Sequence, residues 1–167
     1  IVRTVATEGT GIPELVALVG QGSWPSLQKL GKPEGTPRLD HLGIAVDHLN
    51  PAIAFYESLG LAVGHREAVA AEKVDVAMLP AGDSRIELLE PLAPDSPISK
   101  FLEKRGPGLH HIALRVPDLS AAVERLRASG ARLLNEPRPG ASGHPYVFIH
   151  PASTGGVLLE LIQETEN

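Results

Sequence analysis

The octapeptide LDHLGIAV at residues 39–46 returns as LHHIALRV at residues 109–116, and Leu39, His41 and Val46 fall in register with Leu109, His111 and Val116. Both copies alternate as half-buried strands do. Each is followed by a helical pattern closed by glycine, LNPAIAFYESLG at 49–60 and DLSAAVERLRASG at 118–130. Glycine at that place suits a helix C-terminus, and Pro51 suits a first helical turn. Ile53, Phe55, Tyr56 and Leu59 are the expected apolar positions of the first helix, and Leu119, Val123 and Leu126 those of the second.

Three strands are then predicted in each half. They are LAVGHREAV, KVDVAMLPAG and SRIELLEPL in the first, and ARLLNEP, HPYVFIHP and GVLLELIQ in the second. A short helix is expected over residues 95–106. The chain thus reads as two tandem βαβββ modules, residues 38–106 and 107–164, in one α+β domain spanning 38–164. The offset between copies is 70 at the first strand (His41 to His111) and 73 at the last (Glu87 to Glu160). The difference is expected in the RPGASGHP loop, residues 138–145.

Side chains alternate along a strand. Leu42, Ile44 and Val46 share one face, expected to pack under the helix; His41, Gly43 and Ala45 share the other, which leaves room before the imidazole. By the same parity His110 is expected to turn away from His111. In the last strands, Glu87 stands between Ile86 and Leu88, and Glu160 between Leu159 and Leu161. A carboxylate among aliphatics is costly without a partner. Two histidines and two glutamates at matched repeat positions have a common explanation in one divalent cation held by His41, Glu87, His111 and Glu160. That mixed nitrogen and oxygen set suits Mn, Co, Zn, Fe or Ni, with positions left for a substrate. His48, His65 and His150 have no matched partner and read as surface or turn residues. His144, in a Gly/Pro-rich loop, is a candidate substrate contact.

Composition narrows the alternatives. The chain has 167 residues and no cysteine, so disulfides and thiolate metal sites are excluded. A net charge of −5 gives no basic footprint for nucleic acid. No apolar run is long enough for a membrane span, and no secretory signal pattern opens the sequence, which makes the cytoplasm the expected compartment. Residues 1–37 lie outside the repeat as an N-terminal extension and linker, with a short helix expected over Ile12 to Val19.

The stretches LDHLGIAV, AIAFYESLGL, SRIELLEPL, GLHHIALRV and HPASTGGVLLEL resemble the vicinal oxygen chelate (glyoxalase-like) superfamily, and within it the methylmalonyl-CoA epimerase branch. The resemblance implies paired βαβββ modules around a concave metal-binding sheet. It implies one divalent ion per chain (Co, Mn, Zn, Ni or Mg) on His41, Glu87, His111 and Glu160. It also implies an acyl-CoA substrate, a homodimer, and epimerisation by proton removal and return at the carbon α to the thioester. In that family the last metal-binding glutamate, here Glu160, is one base; aligning the third strand on Pro80 puts Asp75 at the place of the other. Competing readings are a glyoxalase-type isomerase, an extradiol-type dioxygenase and a non-catalytic small-molecule-binding module. The dioxygenase would want two histidines and one carboxylate rather than four ligands, and a binding module would want more aromatic surface than 4% supplies. Residues 2–19 are similar to a segment of the GTPase chaperones that serve methylmalonyl-CoA mutase, but the chain has no GxxxxGK[ST] phosphate loop.

Overall fold

A computed structural model describes residues 35–140 and 143–164. The short helix expected over Ile12 to Val19, and the similarity of residues 2–19, lie outside the described residues. The first module runs β1 (Arg38–Ala45), α1 (Leu49–Ser58), β2 (His65–Val69), β3 (Val74–Ala81) and β4 (Ser84–Pro91). Helix α2 (Pro97–Arg105) leads to the second, β5 (Gly108–Val116), α3 (Leu119–Ala128), β6 (Arg138–Pro139), β7 (Pro145–Ile149) and β8 (Leu158–Gln163).

All eight strands join one mixed sheet in the order β2-β3-β4-β1-β5-β8-β7-β6. The two repeat-opening strands, β1 and β5, pair antiparallel at its centre. Each has the last strand of its own module beside it in parallel, β4 on β1 and β8 on β5. The histidine strands and the glutamate strands are therefore the four central neighbours, β4-β1-β5-β8. The sheet curls until its ends approach: Arg138 of edge strand β6 ion-pairs with Glu72 in the turn after the other edge strand, β2.

The aliphatic faces pack under the helices, as the alternation requires. Beneath α1, Ile44 and Val46 join Leu79 and Leu88, both fully buried. The helix contributes Leu49, Ala52, Ile53 and Tyr56, an i, i+3, i+4, i+7 stripe. Phe55 and Leu59, expected on that face, lie outside the stripe and are exposed. Beneath α3, Leu119, Val123 and Leu126 meet Val147, Ile149 and Leu161. Each helix is anchored by the last strand of its own module. The Leu49 N–H donates to the Glu90 carboxylate at 2.6 Å, and the Leu119 N–H to the Gln163 side-chain oxygen at 2.9 Å. These acceptors satisfy helix N-terminal donors that have no partner within the helix.

Two expectations need correction. ARLLNEP does not form a strand: it makes one bridge, Leu133 to Ile149. The Phe148 N–H is taken by the Asn135 side-chain oxygen, and Pro137 has no N–H to give, so the ladder cannot continue. The extra three residues of the second module are not in RPGASGHP. Leu79 pairs with Ile86 and Ile149 with Leu159, so the offset is still 70 at β7 and becomes 73 only at β8. The tight β3–β4 hairpin has been replaced by a connection containing a 3-10 turn, Pro151–Ser153. Among the described residues, no helix is long and apolar enough to cross a membrane.

Candidate metal centre

The β1–β5 ladder is broken twice, and both breaks fall at the histidines. Leu39 pairs with Leu114 and His41 with Ala113, so β1 spends two steps where β5 spends one; Asp40 is the extra residue. Gly43 pairs with His111 and Ile44 with Leu109, so on β5 the extra residue is His110. A bulge of this kind interrupts the alternation of side chains. Asp40 and His41 consequently line the same cavity, as do His110 and His111. The expectation that His110 turns away from His111 is thus overturned: their Nδ1 atoms are 2.9 Å apart.

His41 and His111 are both 4% exposed, with their Nε2 atoms 2.9 Å apart. Glu87, from β4, puts Oε2 3.5 Å from His41 Nε2 and 3.3 Å from His111 Nε2. Glu160, from β8, does the same at 3.5 and 3.4 Å. His41, His111 and Glu160, up to 119 positions apart (41 to 160), each offer one ligand atom, all within 4.8 Å of one another, and Glu87 stands beside both histidines. Donors bonded at about 2.0–2.2 Å to one divalent ion stand roughly 3–3.5 Å from their neighbours, and the 2.9–3.5 Å separations among the two histidines and Glu160 match that spacing. This His-His-Glu set fits such an ion, with Glu87 adjacent to it.

The close approach of the two imidazoles depends on a glycine. A Cβ built on Gly43 would stand 2.2 Å from Cε1 of His111. Its repeat counterpart, Ala113, sits opposite His41 and keeps its methyl. Phe148 packs edge-on against His111, with ring centroids 5.8 Å apart.

Around the imidazoles the charges are arranged unevenly. Burial opposes a charge on His41, but hydrogen bonds to Asp40 and Glu160 and the charge of Glu87 outweigh it and raise its pKa from 6.5 to about 9. Burial likewise opposes a charge on His111, and Glu160 and Glu87 raise it. His110 goes the other way: burial and the neighbouring His111 lower its pKa to about 4. Glu160 is held ionised, with burial overridden by its histidine partners, at about 2. Asp40 is also kept below the ordinary carboxylate range against burial, by His41, Arg85 and Arg115.

Asp75 is not brought to this cluster. Val74, Val76 and Met78 of β3 face the cavity. Asp75 points to the other face, where it accepts from the Arg66 guanidinium at 2.8 Å. Alternation therefore turns it away from the cavity side of the sheet. Among the described residues, the cavity's further titratable side chains include Glu67, Glu72, His110, His144 and Tyr146. His144 thus lies on the wall where its loop position suggested a contact. His48 and His65 are exposed beside Glu90 and Glu67, and His150 accepts from the Ala152 N–H at the 3-10 turn. The sequence reading missed Asp40 and Arg85 as parts of the site. Its available signal was the adjacency of Asp40 to His41 and of His110 to His111.

The cavity has a volume of about 430 Å³, within the usual range for small-molecule sites. One patch of its wall is apolar, where Ile98 of α2 packs with Val74, Val76 and Leu89.

Residues 40–148 match the family described as the glyoxalase/bleomycin resistance protein/dioxygenase superfamily. An uncharacterised Bacillus subtilis protein, YqjC, is 48% identical over 128 residues, which cover 75% of this chain and 91% of that protein. The ethylmalonyl-CoA/methylmalonyl-CoA epimerase of Cereibacter sphaeroides is 44% identical over 130 residues, 75% of this chain and 97% of that enzyme. Among solved structures, a variant of Streptomyces coelicolor methylmalonyl-CoA epimerase in complex with 2-nitronate-propionyl-CoA superposes with a TM-score of 0.70 at 39% identity. That match covers 77% of this chain and 94% of the other. With its two βαβββ modules back to back and its matched histidines and glutamates on the four central strands, the chain belongs to the glyoxalase/bleomycin resistance protein/dioxygenase superfamily.

Proposed function

We propose that this protein is a metal-dependent epimerase that inverts the carbon between the carboxylate and the thioester of methylmalonyl-CoA. One observation carries the reading: two imidazoles and the Glu160 carboxylate, spaced for one divalent ion and with Glu87 beside them, stand at the wall of a cavity in a chain similar to epimerases of that substrate. The proposed ligands are His41, Glu87, His111 and Glu160, and the proposed ion is Co, Mn, Zn, Ni or Mg. When bound, the ion supplies positive charge for the thioester oxygen as enolate character develops, which is where stabilisation accelerates the reaction.

The chain's own residues then have separable tasks. His41 and His111 would hold the ion in place through their Nε2 atoms. Glu160, a carboxylate on the cavity wall, accepts the α-proton. Inversion requires a proton to return on the opposite face of the planar intermediate. Glu67, Glu72 and His144 are the candidates for that role, since they line the cavity outside the ligand cluster and Asp75 does not. The apolar wall formed by Val74, Val76 and Ile98 limits water around the reacting carbon.

The same reading includes a homodimer, supported by the exposed Leu39 and Leu109 on the central strands. It takes residues 38–164 as the catalytic domain and 1–37 as an extension, in keeping with a family match that begins at residue 40.

The test is solvent exchange. Chelator-treated protein, with Co(II) or Mn(II) restored, should wash deuterium into the α-position of methylmalonyl-CoA and interconvert its epimers, as followed by NMR. The same protein should not isomerise a glutathione hemithioacetal. Isomerisation of that adduct without exchange into methylmalonyl-CoA would establish the glyoxalase-type reading instead.

A further inference from the structure

We propose that Asp40 and His110, the two residues extruded by the bulges, are positioning residues that aim the metal-binding histidines, and that they do so by different chemistry in the two modules. The inference rests on the metal reading above and extends it beyond the four ligands.

Three observations support it. The residues occupy matched places in the repeat, one before His41 and one before His111. Each engages the Nδ1 of its histidine: Asp40 Oδ1 is 2.7 Å from His41 Nδ1, and His110 Nδ1 is 2.9 Å from His111 Nδ1. With both Nδ1 atoms engaged, both Nε2 atoms are left pointing at the common site, 2.9 Å apart. A histidine whose Nδ1–H is committed to an acceptor presents Nε2 as its lone-pair donor, in a fixed ring orientation. Regular alternation would have sent residues 40 and 110 to the outer face, so the bulges are what make these contacts possible.

The two orienters are themselves held differently. Asp40 is 3% exposed and accepts from Arg85 of β4 and Arg115 of β5 as well as from His41. Its carboxylate is thus pinned by three donors on three strands. Among the described residues, no arginine or lysine hydrogen-bonds to His110; its ring packs edge-on against Phe101 of α2, with centroids 5.0 Å apart. A charge-assisted hydrogen bond is about twice as strong as a neutral one. His41 is therefore the more firmly aimed ligand, and removing Asp40 should cost more than removing the His110 nitrogen.

The experiment is a Co(II) titration against a competing chelator, with no substrate present. Asp40→Ala should bind Co(II) about 10–100-fold more weakly than the parent. Asp40→Asn keeps an acceptor oxygen and should recover at least part of that loss. His110→Phe keeps the ring on Phe101 but removes the nitrogen, and should give a smaller loss than Asp40→Ala. In Zn(II)-loaded protein, the His41 Nδ1–H should appear as a slowly exchanging, downfield proton by NMR and vanish in Asp40→Ala. Should Asp40→Ala fail to fold, Asp40→Leu, which also lacks the acceptor, takes its place beside His110→Phe. An affinity within twofold of the parent in the folded Asp40→Ala (or Asp40→Leu) or His110→Phe protein, or Asp40→Asn no better than Asp40→Ala, overturns the assignment. A parent that binds no Co(II) overturns the metal reading itself, and this assignment with it. Lost epimerisation with the expected affinities leaves the positioning roles intact and counts only against the proposed reaction.

Discussion

The imidazole of His111 fills the space that a side chain on Gly43 would need. The two residues pair across the central β1–β5 ladder, and the ring atoms Cε1, Nδ1 and Nε2 all fall within 2.8 Å of the missing Cβ. Glycine here serves close approach rather than a turn: it lets one module's buried histidine lie against the backbone of the other module.

Gly43→Ala is accordingly expected to displace His111 while leaving the strand intact. Co(II) affinity should fall by at least about 10–100-fold, the range seen when a ligand's support is lost. Ala113→Gly, at the matching position opposite His41, should stay within a few-fold of the parent. Chelator competition measures both, with circular dichroism to confirm folding. Equal affinities for Gly43→Ala and the parent would show that the ring has room to move.

The two carboxylates once candidates for the proton transfers should separate cleanly. Glu160→Gln should retain some metal but lose about 10²–10⁴-fold in epimerisation rate. Asp75→Asn breaks only the outer-face pair with Arg66, and exposed pairs of that kind contribute about 0–1 kcal/mol. Its turnover should lie within twofold of the parent and its urea midpoint should shift slightly. A large rate loss in Asp75→Asn would mean that this strand turns over when substrate binds.

The metal-free protein should be most stable near pH 6.5. Below that value an unfolded His110 takes up a proton that the folded chain refuses until about pH 4, so stability declines as pH falls through that window. Above it, the raised pKa of His41 acts in the opposite sense. Its contribution is complete below 6.5, where both states are protonated, and is lost as pH rises through about 9. Urea midpoints of chelator-treated protein between pH 4 and 10 should trace this maximum. His110→Phe should flatten the acidic limb and leave the basic limb in place. A single slope across the whole range would contradict the opposed environments of the two histidines.

Much of this centre was legible from local pattern. Strand alternation and helix periodicity are properties of neighbouring residues, so the two βαβββ units could be read from the chain, and the duplication picked out His41, Glu87, His111 and Glu160 as a matched set. The choice of face was harder. In β3 both faces are apolar, Val74 and Val76 on one and Ala77 and Leu79 on the other, because one lines the cavity and the other packs under α1. Alternation places Asp75 opposite Val76, but only the packed helix says which face is which. The failure of ARLLNEP as a strand had the same origin, since its pairing was decided by β7, which takes the Asn135 side chain in place of a backbone carbonyl.

The sequence by itself determined most of the elements, the repeat and the matched set of two histidines and two glutamates, because each depends on spacing along the chain. Tertiary structure alone decided where the register between β1 and β5 slips, since a bulge is a mismatch between two strands and is fixed by their pairing rather than by either one alone. That slip brings Asp40 onto the inner face beside His41 and His110 beside His111.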